Sequence, residues 1–122
     1  MRQFKFRAWD KENETMTYPK GILFDGRIVN FSCGMLEAFE GYEIMQYTGL
    51  KDKNGKEIYE GDIYHAGDPS ITYTVVWHDA GLIGKQNGSS SYAGLSHWQD
   101  RIEVIGNIYE NPSYWKVKNE NE

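Results

Sequence analysis

Alternation of apolar and polar side chains, the mark of a strand with one face against a core, recurs along this chain. It begins in "QFKFRAWD", where Phe4, Phe6 and Ala8 fall on one side and Lys5, Arg7 and Trp9 on the other, predicting a half-buried first strand. "KENETMTYPKG" carries turn and breaker residues, and "RIVNFS" then offers Ile28, Val29 and Phe31 for a second short strand. "SCGMLEAFEGY" changes period: Met35, Leu36 and Phe39 fall on one helical face, Ser32 suits an N-cap and Gly41 a helix end, so a short helix is expected here. Strand patterns return in "EIMQYTGL", in "TYTVVW" and in "IEVIGNIY", the last two reading as core strands.

The connections are as informative as the strands. Asn54-Gly55 is the strongest short hairpin signal in the chain, because both residues tolerate the positive φ of a two-residue type I′ turn. Lys51, Asp52, Lys53, Lys56 and Glu57 then flank the turn as solvated charges. "EGD" reads as a second turn, with Gly61 supplying the unusual backbone angle and Asp62 accepting nearby backbone N–H groups. From Ala80 to Trp98 the sequence is rich in Gly and Ser without a sustained period, which predicts a long loop, more mobile than the strands. Short strands, Gly-centred turns and one brief helix together predict a mainly β fold, a small barrel or compact meander.

Composition narrows the function. At 122 residues the chain is sized for one domain with a small subdomain, long enough to close a core without metals or disulfides. A single cysteine, Cys33, forms no internal disulfide, and the charged start "MRQFKFRAWD" lacks the apolar run of a secretory signal, so a cytoplasmic location is expected. No stretch approaches the roughly 18 apolar residues of a membrane span, and no membrane role is expected. With 13 Lys and Arg against 18 Asp and Glu, the net charge of -5 disfavours attraction to polyphosphate.

Motifs for chemistry fail one by one. "DKNGKEIYEGD" has the acidity of a calcium loop, but counting from Asp52 the positions that need an oxygen ligand and a Gly hold Lys56 and Glu57. "GLIGKQNGS" lacks the Ser or Thr that follows Lys in a phosphate-binding loop, having Gln86 there. His65, His78 and His97 are not spaced to put two imidazoles on one face, and Cys33 has no neighbouring cysteine. Ser89, Ser90 and Ser91 sit in no nucleophile elbow. The reading is of a non-enzyme, with no catalytic, cofactor or metal site.

Three blocks in order, "FRAWD", "IMQYTGLKDKNGKEIYEGDI" and "IEVIGNIYENP", resemble the YopX family of small proteins encoded by phages and prophages of mainly Gram-positive bacteria. The resemblance implies a mainly β protein with an SH3-like barrel in its C-terminal portion, a tendency to self-associate, and no established activity. It frames the chain as one compact domain over residues 1–115, with an N-terminal β subdomain to about residue 45, a barrel over about 46–112, and a polar tail at 116–122. This chain departs from the usual family ending with "SYWKVKNENE", placing Tyr114 and Trp115 where aliphatic residues are common. The expected function is a cytoplasmic accessory module of a bacterial host cell that assembles into a homo-oligomer and binds a phage or host protein. Trp9, Trp98, Tyr114 and Trp115 are the candidate contacts. The alternative is a module for single-stranded nucleic acid that stacks bases on Trp9, Tyr73, Trp77 and Trp98, against which the acidic balance counts.

Overall fold

The computed structural model describes residues 5–32 and 34–112. The fold is mainly β, antiparallel throughout, with one sheet curled into a half-barrel and one short α-helix among the described residues. The chain divides into an N-terminal unit, Phe4–Gln46, and a C-terminal unit that takes over at Tyr47.

In the N-terminal unit β1 (Phe6–Asp10) pairs on one side with β2 (Thr15–Thr17) and on the other with the first half of β6 (Tyr42–Lys51). The expected half-buried strand is instead buried on both faces, with Arg7, Ala8, Trp9 and Asp10 all buried, and β1 is paired along both edges, by β2 and β6. Asp10 closes the β1–β2 turn, its carboxylate accepting the N–H groups of Glu12 and Asn13 at 3.0 and 3.2 Å and the Asn13 side-chain amide at 2.8 Å. The segment read as turn and breakers therefore contributes a strand, β2, whose Thr15 and Thr17 suit a pleated backbone.

A second sheet is formed by β3 (Gly21–Ile22), β4 (Ile28–Ser32) and β5 (Met35–Phe39). Here the predicted helix is absent. Gly34, with φ 81°, turns the chain, and Met35–Phe39 runs back along β4 with Ser32 opposite Met35 and Ile28 opposite Phe39. The helical spacing of Met35 and Leu36 had no core to serve, since both side chains are exposed, and the backbone bonds to β4 decide the outcome.

In the C-terminal unit the second half of β6 pairs with β7 (Glu57–Tyr59), bringing the rings of Tyr47 and Tyr59 to 5.4 Å. A five-stranded sheet follows, ordered β11 (Tyr92–Ala93), β10 (Gly81–Gln86), β9 (Tyr73–His78), β8 (Asp62–His65), β12 (Glu103–Asn107). Ile58, Tyr64, Val75, Leu95, Ile102 and Val104 form its core. The long loop expected over 80–98 is a second correction. Gly81–Gln86 pairs with the whole of β9, and after β11 come α1 (Leu95–Trp98), the short helix of this fold, and a 3-10 turn at Gln99–Arg101. Glycine hid the strand: a Cβ at Gly84 would overlap the Tyr64 side chain, so this β10 position has no room for one.

The hairpin at Asn54-Gly55 exists, but not as a two-residue type I′ turn. Only Gly55 takes positive φ, at 83°; the Gly55 N–H donates to Asp52 O at 3.0 Å and the Asp52 N–H to Lys56 O at 2.8 Å. This is a three-residue loop, a right-handed turn closed by a left-handed glycine. Gly55→Val has open space for its side chain but the wrong backbone angle for it. It should lower stability by about 1–2 kcal/mol, and urea melts matching those of wild type would refute this turn geometry.

Candidate functional site

Tyr64 sits in β8 directly opposite Tyr73 in β9, and the two rings stack at 5.2 Å with planes 13° apart. A cross-strand aromatic pair of this kind makes a rigid wall. Burial first, and the neighbouring Tyr73 next, push the Tyr64 hydroxyl well above its ordinary range, so it stays protonated and the wall stays neutral.

After β8 the chain turns outward and returns through Ile71. His65 Nδ1 accepts the Gly67 N–H at 3.1 Å, and Asp68 Oδ1 accepts both the N–H and the hydroxyl of Ser70, at 3.0 and 2.6 Å. The Ile71 N–H donates to Asp68 O at 3.0 Å. Behind this turn lies a buried polar knot. Thr74 Oγ1 donates to Asn87 Oδ1 at 2.7 Å, and Asn87 Nδ2 donates to Thr72 Oγ1 at 3.0 Å, tying the returning chain to the end of β10. The Ser70 hydroxyl first, and its N–H second, hold the Asp68 carboxyl below the usual carboxylate range, so it is charged at neutral pH.

The facing wall comes from β11 and α1. Leu95 anchors α1 in the core while Trp98, at its end, is turned partly to solvent. The Arg101 guanidinium lies 5.6 Å from the Trp98 ring centroid, and His97 meets the same ring edge-on at 4.9 Å. Between the walls is an open groove of ≈ 320 Å³ lined by Tyr64, Ala66, Asp68, Ile71, Tyr73, Ala93 and Trp98. Its described lining is apolar and aromatic, with one carboxylate, the exposed Asp68. Such a surface receives an apolar side chain; among the described lining residues no nucleophile is paired with a base.

The residues singled out from sequence are scattered relative to this groove. Trp98 lines it. Trp9 lies in the N-terminal unit and is buried; Tyr114 and Trp115 lie outside the described residues, as does Cys33. Of the four aromatics considered for base stacking, Tyr73 and Trp98 share the groove, while Trp77 stands half-exposed near the end of β9 and is not part of its lining. His65 is buried with Nε2 3.6 Å from Glu103, which itself pairs with Lys53 at 3.0 Å; His78 stacks on Tyr92 at 4.2 Å. Among the described residues no three metal-binding side chains converge, and no helix is long and apolar enough to cross a membrane.

At the two turns, Gly61 has φ 87° and Asp62, buried at the start of β8, accepts the Tyr59 N–H at 2.7 Å. Asp52 is buried, not solvated. Its Oδ1 accepts the N–H groups of Asn54 and Lys56, both at 2.9 Å, and its Oδ2 the N–H of Val104 at 3.0 Å. Sequence reasoning passed over Tyr64, Asp68 and Ile71. The one available signal was "GDPS" after a strand, turn chemistry that marks the chain leaving a sheet and returning to it.

The family profile described as YopX protein matches residues 5–115. Among solved structures, protein EF1440 from Enterococcus faecalis is 28% identical with a TM-score of 0.66, the match covering 94% of this chain and 99% of that one. Protein yopX from Bacillus subtilis is 22% identical with a TM-score of 0.62, over 94% of this chain and 97% of that one. No curated protein matches the chain.

Proposed function

The chain belongs to the YopX family, a membership that brings a fold and no activity, and from the groove we propose that it is a non-enzymatic accessory module that binds a protein segment, first of all from another copy of itself. The observation that carries this is the pairing of a rigid Tyr64–Tyr73 wall with exposed Ile71 and Trp98 around one apolar cleft. Exposed apolar and aromatic side chains gathered in a concave patch mark protein contacts, and Trp and Tyr dominate the energetics of such contacts. A phage or prophage setting, in a host cytoplasm, fits a small module of this kind. The alternative of single-stranded nucleic acid is disfavoured by Asp68 in the groove and by the chain's net charge of -5.

Ile71→Asp tests the reading, because Ile71 is exposed and its replacement leaves the core intact. Sedimentation equilibrium of wild type should show species heavier than 14.1 kDa, and Ile71→Asp should weaken that association about tenfold or more. A wild-type mass that stays at the monomer value throughout a dilution series overturns self-association, and assembly of Ile71→Asp as strong as wild type removes the groove from it.

A further inference from the structure

Resting on that binding reading, we infer that the groove's occupant is the C-terminal segment Tyr114–Lys118 of a second copy. The chain continues for ten residues beyond Pro112, and "SYWKVK" within them sets two adjacent aromatics before Lys116 and Lys118. The groove offers complementary chemistry: aromatic and aliphatic walls from Tyr73, Ile71 and Trp98, and, among its described lining, one carboxylate, the exposed Asp68. Held below the usual carboxylate range by Ser70, Asp68 is available to a cation that follows the seated aromatics.

The place where the chain leaves the sheet points to a neighbour's groove. Strand β12 runs antiparallel to β8, with Val104 opposite Tyr64 and Asn107 opposite Asp62, so the chain departs at the Asp62 end. It is pinned there. The Asn111 N–H donates to Asn107 O at 2.9 Å, and Asn111 Oδ1 accepts the Asn107 N–H at 3.2 Å. The groove lies at and beyond the other end of β8, with Ala66 four residues past Asp62. At the rise of a strand Tyr64, the near wall, is about 7 Å from Asp62 and Ala66 about 13 Å, whereas Tyr114 lies about 7 Å of extended chain beyond Pro112, so the first aromatic reaches the near wall at most. The tail also starts beside β12, one edge of the sheet, while the Ala93 wall belongs to β11, the opposite edge. A second copy meets neither restriction, and mutual exchange of tails would close a two-fold dimer.

The experiment uses the full chain. In Tyr114→Ala/Trp115→Ala, self-association measured by sedimentation should weaken about tenfold or more, while the circular dichroism spectrum, and melting at a dilution where wild type is monomeric, stay those of wild type. A synthetic peptide of residues 113–118 added to this variant should shift the amide signals of Ile71, Ala93 and Trp98. Asp68→Lys should weaken assembly of the wild-type tail, and combining it with Lys116→Glu and Lys118→Glu should restore it. If the double alanine variant assembles like wild type while Ile71→Asp does not, the tail proposal falls and the binding groove stands. If wild type is monomeric and groove signals respond to the tail variant equally at every dilution, the tail folds back on its own groove and the proposal falls. A monomer whose groove signals ignore the tail overturns both readings.

Discussion

Gly84→Ala should cost about 3 kcal/mol of stability, at the upper end of what overpacking a core does. An ideal Cβ at this position overlaps the Tyr64 hydroxyl and stands 2.9 Å from Cζ and 3.3 Å from Cε1 of the same ring. A flexible side chain could swing away, but the Tyr64 ring has little freedom. It is buried in the C-terminal core beside Ile58, Val75 and Leu95 and is stacked on Tyr73. To admit a methyl group either β10 lifts from β9, weakening a ladder six residues long, or the Tyr64–Tyr73 stack shifts into the groove. The second route ties stability to binding, because that stack is the groove's rigid wall. Tyr64→Phe in the same background removes the worst overlap and leaves the Cζ approach, so it should recover part of the loss and none when made alone. Urea denaturation of the four proteins of this cycle measures the coupling. Gly84→Ala within about 0.5 kcal/mol of wild type, the range of neutral surface changes, would mean that the ring yields freely and that the groove wall is soft.

This glycine also shows where sequence reading reaches its limit. Strands with β-branched or aromatic residues in alternation, β4, β9 and β12, were legible because both propensity and burial favour the same backbone. β10 was not, since Gly81 and Gly84 blank two of its positions and the reason for the second is a ring twenty residues earlier in the chain. β5 failed in the opposite way. Met35, Leu36 and Phe39 have helical spacing, yet the turn at Gly34 delivers the segment to an open β4 edge, and long-range pairing overrides local propensity. Of the groove, only Tyr73 and Trp98 could be suspected from sequence. Tyr64 reads as an ordinary strand residue, and Ile71 and Asp68 become neighbours of Trp98 only when the chain after β8 folds against β11 and α1. Charge was misread for a related reason. Asp52 stands among three lysines near a hairpin tip, where solvation is the sensible expectation, and its burial depends on β12, some fifty residues later.

Asp52→Ala should destabilise the protein by about 2–4 kcal/mol, the cost of leaving several backbone donors without their acceptor. Three N–H groups lose their partner at once: those of Asn54 and Lys56, within the hairpin, and that of Val104, in β12 beside the register shift between Val104 and Gly106. Solvent can reach the first two more easily than the third, which is buried. The same carboxylate locks hairpin to sheet, a junction to which the Lys53 N–H adds a bond to Ile102 O at 2.9 Å. Asp52→Asn keeps one acceptor oxygen but turns an amide N–H₂ toward one of these donors, so it should recover only part of the loss. The dependence on pH follows from the same contacts. Burial acts to raise the Asp52 pKa, but the N–H groups of Val104, Lys56 and Asn54, helped by the charge of Lys56, outweigh it and hold the carboxyl below its ordinary value. A carboxyl depressed in the folded state contributes stability that is complete above its unfolded pKa, about 3.9, and lost as pH falls through the lower folded value. The gap in stability between wild type and Asp52→Asn should therefore be constant from neutral pH down to about 4 and shrink below that. Asp10, Asp25 and Asp68 are depressed too and are common to both proteins, so they cancel in the difference. A gap that stays the same at every pH down to acid unfolding would show that the Asp52 contribution does not depend on its charge.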